Sequence, residues 1–194
     1  MRVLILFAHP IETSFVAALH RLVVETLRAR GHEVDDLDLY AEGFDPVMPR
    51  QTLIDYLNAP ANIAEVRPYV ERLRAAEALV LVFPVWYDGP PAILKGFFER
   101  VFLPGVSFRL DEHGRFLPLL LGVKRLAAVC VHGASRRQAS LTGDSVRGLI
   151  KHNLGGVIAP DARFDYFAHY AMDSTTPSRR ARFLARVARA FGEW

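Results

Sequence analysis

The chain has almost no cysteine and no long apolar run, and both absences limit what it can be. Cys130 is the only cysteine among 194 residues, so no intramolecular disulfide can form. It lies in the apolar run 126–131, which favours a buried thiol over a nucleophile. The N-terminal apolar run, 3–8, is too short to span a membrane and has no small-residue cleavage site after it. We therefore expect a cytoplasmic protein with no signal peptide and no transmembrane helix.

Lysine is scarce and arginine is strongly preferred, which gives a net charge of +3 and a sequence pI of about 9.2. A basic chain is compatible with nucleic acid or a membrane surface as a partner. The arginines of the predicted last helix, however, alternate with apolar residues as in a solvated amphipathic helix, and no nucleic-acid-binding motif accompanies them. The pattern therefore argues against nucleic-acid binding. That helix contains Arg179, Arg180, Arg182, Arg186 and Arg189.

Internal repeats, low-complexity tracts and interdomain linkers are also missing. A hydrophobic content of 51% over 194 residues is enough to bury one core, so we expect a single α/β domain over residues 1–194. The one irregular stretch, about 40–70, contains Pro46, Pro49, Pro60 and Pro68. We interpret it as an excursion from the domain or an oligomer contact.

Apolar runs and helical periodicity alternate along the rest of the chain. Strands are predicted at 2–8, 33–39, 78–83, 126–131 and 157–167, the last interrupted by Pro160. Helices are predicted from Phe15 to Gly31, from Pro91 to Phe102, over 143–153, and from about Pro177. This alternation predicts a doubly wound, five-stranded parallel sheet in a three-layer α/β/α arrangement. In such sheets ligands bind outside the carboxyl ends of the strands, at the point where the strand order reverses.

The loop after the first predicted strand suits an anion. Thr13 or Ser14 can cap the helix that follows, and the free N–H groups of its first turn would face a phosphate. Taken alone, the loop is explained equally well if Thr13 and Ser14 only cap the helix and His9 is a satisfied polar residue. The segment reads Ala8-His9-Pro10-Ile11-Glu12-Thr13-Ser14-Phe15.

The most specific stretch runs from Phe83 to Phe102, after the third predicted strand. Prolines and Gly89 stiffen this loop, while Trp86 and Tyr87 present flat surfaces on which a flat conjugated ligand could lie. The alternative is that the two aromatics plug the top of the core. Two adjacent aromatics cannot both point inward, which favours the ligand.

These motifs resemble the NAD(P)H quinone oxidoreductase family, including short bacterial members such as the ancillary flavoproteins of potassium efflux systems. The resemblance extends through nearly the whole chain and implies a flavodoxin-like fold with a bound flavin. It implies that the first loop holds the phosphate and ribityl side, the third loop runs along the isoalloxazine ring, and the loop after the fourth strand approaches the pyrimidine end. The residues so assigned are His9, Thr13, Ser14 and Phe15; Pro84, Val85, Trp86 and Tyr87; and His132, Gly133, Ala134 and Ser135.

Two departures from the family pattern bear on the chemistry. Many relatives have a Thr-Thr-Gly-Gly loop where this chain has Val131-His132-Gly133-Ala134, so the flavin environment differs. The tyrosine and histidine that assist hydride transfer in some relatives have no clear counterparts over 136–144. We therefore assign no general acid or base, and name His132 only as a possible stabiliser of the negative charge that a reduced flavin develops.

Family members are typically homodimers with the active site at the subunit interface. By that resemblance Tyr87 and Phe108 are candidate substrate contacts, and Tyr166, Phe167 and Tyr170 could line a nicotinamide or quinone pocket. For each of the latter aromatics, ordinary packing is the alternative.

The resemblance predicts two-electron, ping-pong hydride transfer from NAD(P)H to a quinone or similar acceptor. FMN is favoured over FAD, partly because Val16 replaces a polar residue often present there, and no metal is expected. Two other functions stay open: a one-electron flavodoxin-type carrier, and a regulatory flavoprotein subunit of a membrane transporter, through which alone we would expect membrane association.

Overall fold

Seven strands are present in the computed structural model, which describes all of residues 1–194. Five form a parallel sheet in the order β2-β1-β3-β6-β7, and the other two form an antiparallel pair. The predicted doubly wound sheet is therefore confirmed. The strands are β1 (Arg2–Phe7), β2 (Glu33–Asp38), β3 (Ala78–Val85), β4 (Phe108–Leu110), β5 (Phe116–Pro118), β6 (Arg125–His132) and β7 (Arg163–His169).

Helices cover both faces of the sheet, and none has the length and apolar character needed to cross a membrane. A π-helix, Leu149–Leu154, continues α6, and short 3-10 turns occupy Ala61–Ile63 and Met172–Ser174. The α-helices are α1 (Phe15–Ala29), α2 (Arg50–Ile54), α3 (Arg67–Ala75), α4 (Ala92–Val101), α5 (Arg136–Leu141), α6 (Ser145–Gly148) and α7 (Pro177–Gly192).

Alternate residues of the central strands enter two separate cores. In β1, Leu4 and Leu6 join the larger core with α3, α4 and the π-helix, whereas Val3 and Ile5 join the smaller core with α1 and α7. Side chains alternate between the faces of a strand, so β1, β3 and β6 must be apolar at nearly every position to be covered on both sides. This burial fixes the positions at which their carboxyl ends emerge.

The fifth strand begins later than predicted. Instead of 157–167 the strand is Arg163–His169, and Ile158 makes only an isolated bridge to Leu120. Pro160 has no N–H to donate to the sheet, and the chain turns after it before pairing with β6. The end of β7, and the loop that follows it, therefore lie further along the chain than the sequence indicated.

The predicted helix over 143–153 also starts later. Gly143 and Asp144 have φ values of 75° and 46°, so neither residue can be part of a right-handed helix. Asp144 is instead the N-cap of α6, and its carboxylate accepts a hydrogen bond from the backbone N–H of Arg147. A separate helix, α5, precedes it.

The proline-rich stretch 40–70 contains α2, a 3-10 turn and the start of α3. Its apolar residues Phe44, Ile63 and Val66 are buried in the larger core. Asn62 is also buried and donates hydrogen bonds to the carbonyl oxygens of Tyr56 and Pro104, each at 2.9 Å. This stretch therefore covers one face of the sheet.

Gly96 on α4 allows the segment around Pro46 to lie directly against the helix. A Cβ at this position would overlap the carbonyl oxygen, Cα and Cβ of Pro46. We expect Gly96→Ala to lower the free energy of unfolding by roughly 1–3 kcal/mol, because the backbone must shift. Gly192→Ala, at a helical position with open space, is the matched control and should change it by about 1 kcal/mol or less. Chemical denaturation measures both, and equal stability of the two variants would contradict this close packing.

Candidate functional site

The carboxyl ends of β1, β3, β6 and β7 meet at one edge of the sheet. The chain passes from β1 to β2 on one side and continues with β3 on the other side of β1, so the strand order reverses there. A crevice forms at such a reversal, since the loops after neighbouring strands lead in opposite directions.

The first cavity in this crevice has a volume of about 300 Å³. It lies between the start of α1, the end of β3, the end of β6 and the turn after β7. Its walls are largely apolar, and Asp173 is the one carboxylate among them. It is lined by His9, Ser14, Phe15, Val16, Pro84, Val85, Trp86, Val131, Gly133, Met172 and Asp173.

The N-terminus of α1 presents unpaired donors at this cavity. The hydroxyl of Ser14 accepts a hydrogen bond from the N–H of Ala17 at 3.0 Å and so caps the helix. The N–H groups of Thr13, Phe15 and Val16 donate to no protein acceptor. Unpaired N–H groups at the positive end of a 15-residue helix are suited to bind an anion.

His9 adds a side-chain donor. Its Nδ1 accepts a hydrogen bond from the N–H of Ile11 at 3.0 Å, and burial lowers the pKa of the imidazole. The neutral ring therefore carries its proton on Nε2. His9 packs at a tilt against Trp86, with ring centroids 6.0 Å apart.

A tight turn after β3 positions the two adjacent aromatics. Trp86 and Gly89 exchange backbone hydrogen bonds of 2.9 and 3.0 Å, and Tyr87 and Asp88 between them have φ values of 51° and 55°. Positive φ at both central residues is costly for side chains other than glycine, and such strain concentrates at functional sites. The turn leaves Trp86 half-exposed and Tyr87 fully exposed, so neither plugs the core.

A second cavity, of about 630 Å³, adjoins the first. Both are lined by Val85 and Gly133, so the two cavities lie next to each other. The N–H groups of Gly133 and Ala134 donate to no protein acceptor and are available to a ligand. The second cavity is lined by Val85, Tyr87, Asp88, His132, Gly133 and Ala134.

His132, which is buried and lines the second cavity, joins a polar cluster whose other members are partly buried. Its Nε2 lies 3.3 Å from the hydroxyl of Tyr166, which donates to Asp144 Oδ1 at 3.1 Å. The hydroxyl of Tyr170 donates to Asp144 Oδ2 at 3.2 Å. Burial lowers the pKa of His132 and raises that of Tyr166, and burial beside the Asp144 carboxylate raises the pKa of Tyr170 to about 12.

Most of the residues predicted to bind a cofactor line the two cavities. His9, Ser14, Phe15, Pro84, Val85, Trp86, Tyr87, His132, Gly133 and Ala134 do so. Thr13 offers its backbone N–H at the same helix terminus but is not part of the lining. Ser135 is directed elsewhere: it caps α5, where its N–H donates to Gln138 Oε1 and its hydroxyl accepts from the N–H of Gln138.

Phe108, a predicted substrate contact, lies outside both cavities. Its ring stacks on Phe116 with centroids 4.7 Å apart. Both rings line a separate, mainly apolar cavity of about 500 Å³ that also includes Phe98 and Phe102. Within one chain, Phe108 therefore does not contact a ligand in the crevice.

The sequence analysis did not assign Met172 and Asp173 in the first cavity or Asp88 in the second, and it mentioned Val16 and Val131 without counting them as cofactor-binding residues. Met172 and Asp173 were not predicted because β7 was expected to end at 167 rather than at His169. The turn after the strand was therefore not considered as part of the site. The same logic that selected the other loops, namely polar residues directly after a strand, would have found them with the correct strand end.

Comparison with known proteins agrees with this architecture. The profile of a family described as having a flavodoxin-like fold matches residues 1–191. The chain is 36% identical over 123 residues to NAD(P)H dehydrogenase [quinone] 1 of Cavia porcellus, a match that covers 55% of this chain and 45% of that protein. The chain spans about half the length of the curated relatives it matches.

Solved structures are similar over the whole chain. A protein of Streptococcus mutans UA159, Smu.1420, is 29% identical with a TM-score of 0.86, covering 100% of both chains. The NAD(P)H:quinone oxidoreductase from Methanothermobacter marburgensis is 26% identical with a TM-score of 0.83, covering 99% of this chain and 98% of that one.

The thiol of Cys130 should be inert in the folded protein. Cys130 is fully buried in β6, and burial raises the pKa of the thiol to about 12. We expect no reaction with a thiol reagent such as Ellman's reagent at pH 8 under native conditions, and one equivalent of reaction after denaturation. Rapid labelling without unfolding would show that this side of the polar cluster is open to solvent.

Proposed function

We propose that this chain, which belongs to the protein family with a flavodoxin-like fold, is a flavin-dependent NAD(P)H:quinone oxidoreductase. The observation that carries the proposal is the pair of adjoining cavities at the strand-order reversal. One presents an anion site and an aromatic wall, and the other is an open space beside unpaired N–H groups. The quinone reductase names of the relatives support the same reaction class.

The residues present fit a flavin mononucleotide. A phosphate would accept hydrogen bonds from the N–H groups of Phe15 and Val16 and from the Nε2–H of His9. Trp86 supplies a flat surface for the isoalloxazine ring. We propose FMN rather than FAD because the first cavity has one cluster of donors. Val16 adds an apolar side chain there instead of a donor for a second phosphate.

The protein positions the flavin and stabilises the negative charge that it gains on reduction. The bound flavin supplies the hydride-accepting and hydride-donating chemistry. Gly133 and Ala134 have N–H groups available where we place the pyrimidine end, the part of a flavin that becomes negative on reduction. His132 lines the same cavity and is the side chain that we place beside that charge. These groups would thus stabilise the negative charge that a two-electron transfer creates on the flavin.

The second cavity is where we place both substrates, one after the other. It is open, and the exposed Tyr87 stands at its rim. A nicotinamide and a quinone are both flat rings that need the same face of the flavin. They must therefore occupy the cavity in turn, which gives ping-pong turnover.

A homodimer is also proposed. Phe116 and Leu110 are exposed apolar residues beside the cavity that contains Phe108. Covering this face with a second copy would remove apolar surface from water. Phe108 could then contribute to the active site of the opposite copy, although it does not reach that of its own chain.

The reaction is tested by an anaerobic absorbance titration of the FMN-reconstituted protein with NADPH, then with NADH, followed by a simple quinone. We expect bleaching of the flavin by at least one donor and full recovery of its absorbance on addition of the quinone. If FMN binds and neither donor bleaches it, the oxidoreductase proposal is wrong and an electron carrier or a regulatory flavoprotein takes its place.

Ser14→Glu should abolish flavin binding. A carboxylate at the N-cap of α1 would occupy the first cavity and repel the phosphate, and two unit charges about 4 Å apart repel by roughly 4 kcal/mol at a protein surface. We expect the Kd for FMN, measured by quenching of flavin fluorescence, to rise at least about a hundredfold.

Ser178→Glu is the matched control, because Ser178 is exposed at the start of α7 and lines neither cavity. It should bind FMN as the unmodified chain does. Unchanged affinity in a folded Ser14→Glu variant would mean that the phosphate does not lie at α1.

A further inference from the structure

Three segments that are distant in the sequence are connected by a chain of hydrogen bonds to which the proposed function assigns no role. It runs from Asp144, before α6, through Tyr166 on β7 to His132 at the end of β6. Tyr170 also donates to Asp144, and its ring packs on that of His132 with centroids 4.6 Å apart. We refer to His132, Tyr166 and Asp144 as the His132 network.

The donor and the acceptor of each hydrogen bond in the network follow from which groups carry a proton. The Asp144 carboxylate can only accept, so the hydroxyl protons of Tyr166 and Tyr170 both point to it. The single proton of Tyr166 is thereby used, and its oxygen can only accept from other partners. The Nε2 of His132, 3.3 Å from that oxygen, must therefore be the donor.

In the opposite tautomer, with the proton on Nδ1, the lone pair of Nε2 would face the lone pairs of the Tyr166 oxygen, and the two would repel each other. Cys130 could relieve this only with a thiol proton, a weak donor, across 3.5 Å. The same thiol lies 3.4 Å from the Tyr166 oxygen, where it can donate without a conflict. The network therefore favours a neutral His132 with its proton on Nε2.

That tautomer leaves Nδ1 with a free lone pair. No protein group forms a hydrogen bond with Nδ1, and the imidazole lines the second cavity. Burial lowers the pKa of His132, while the negative charges of Asp144 and Asp88 oppose the decrease. The ring is consequently neutral at pH 7 and can accept a proton when a further negative charge arrives.

We propose that Tyr166 and Asp144 are positioning residues that hold His132 as the Nε2–H tautomer, so that its Nδ1 takes up one proton from solvent during flavin reduction. This rests on the proposed function. Reduction of a quinone to a hydroquinone needs a hydride equivalent and one proton. The hydride equivalent comes from NAD(P)H by way of the cofactor, and the proton, taken from water, comes from His132.

The charged and titratable groups around His132 are consistent with one proton taken up there. Cys130 and the two tyrosines have raised pKa values, so they stay protonated near pH 7. Asp144 and Asp88 are the nearby carboxylates, and Arg136 and Arg147 flank the tyrosines. Among these groups, His132 alone has an ordinary pKa near neutrality.

The first test uses the flavin-free protein and is independent of the proposed function. Long-range ¹⁵N NMR of the histidine rings at pH 7.5 should show His132 protonated on Nε2 and not on Nδ1. Tyr166→Phe removes the acceptor of both Nε2–H and the Cys130 thiol, which lies 3.5 Å from Nε2 and can then donate to it, so the fraction of the Nδ1–H tautomer should rise. Tyr170→Phe, which leaves the Tyr166 bond in place, is the matched control and should keep Nε2–H. An Nδ1–H tautomer in the unmodified chain, or no change in Tyr166→Phe, would overturn the positioning role.

The second test counts protons during photoreduction of the FMN-loaded protein, monitored with an indicator dye at pH 7.5 without NAD(P)H. The unmodified chain should take up one more proton for every two electrons than His132→Asn. Equal uptake would refute the proton-accepting role even if NAD(P)H and quinone turn over normally. A protein that shows the expected tautomer but is not reduced by NAD(P)H would instead count against the proposed function alone.

Discussion

The structure depends on the burial of β1, β3 and β6 on both faces of a parallel sheet. Because the three strands are parallel and apolar at nearly every position, their carboxyl ends must leave the core side by side. Beyond these ends the chain enters loops and the start of a helix, where some backbone N–H groups have no protein acceptor. They are found at the start of α1 and at Gly133 and Ala134, where water or a polar ligand can accept from them.

The sheet was predictable because its three central strands are short apolar runs bounded by turn residues. The fourth strand and the first helix could be placed within a few residues on that signal alone. Where the pattern is mixed, prediction failed. Pro160 divides an apolar stretch that was predicted as one strand, and the left-handed residues Gly143 and Asp144 delay the start of a helix that was predicted from 143. The helix before them, α5, was not predicted. The small β4–β5 pair carries no long apolar run and was missed.

The candidate site was predictable where it follows directly from strand ends, as at His9, Trp86 and Gly133. The orientation of side chains was not. His132 was named as a possible stabiliser of a reduced flavin, and the contact of its Nε2 with Tyr166 could not be read from the sequence. Tyr166 lies 34 positions away along the chain, and the pairing of β6 with β7 brings it to His132. Asp144, 12 positions away before α6, joins the network through Tyr166.

The central claim is that one chain builds its flavin site from the loops after β1, β3 and β6. A crystal structure of the FMN-reconstituted protein tests it most directly. We expect the phosphate at the N-terminus of α1, within hydrogen-bond distance of the N–H groups of Phe15 and Val16, and the ring system between Trp86 and Gly133. Flavin bound instead in the apolar cavity beside Phe108, with the crevice at the strand ends empty, would contradict it.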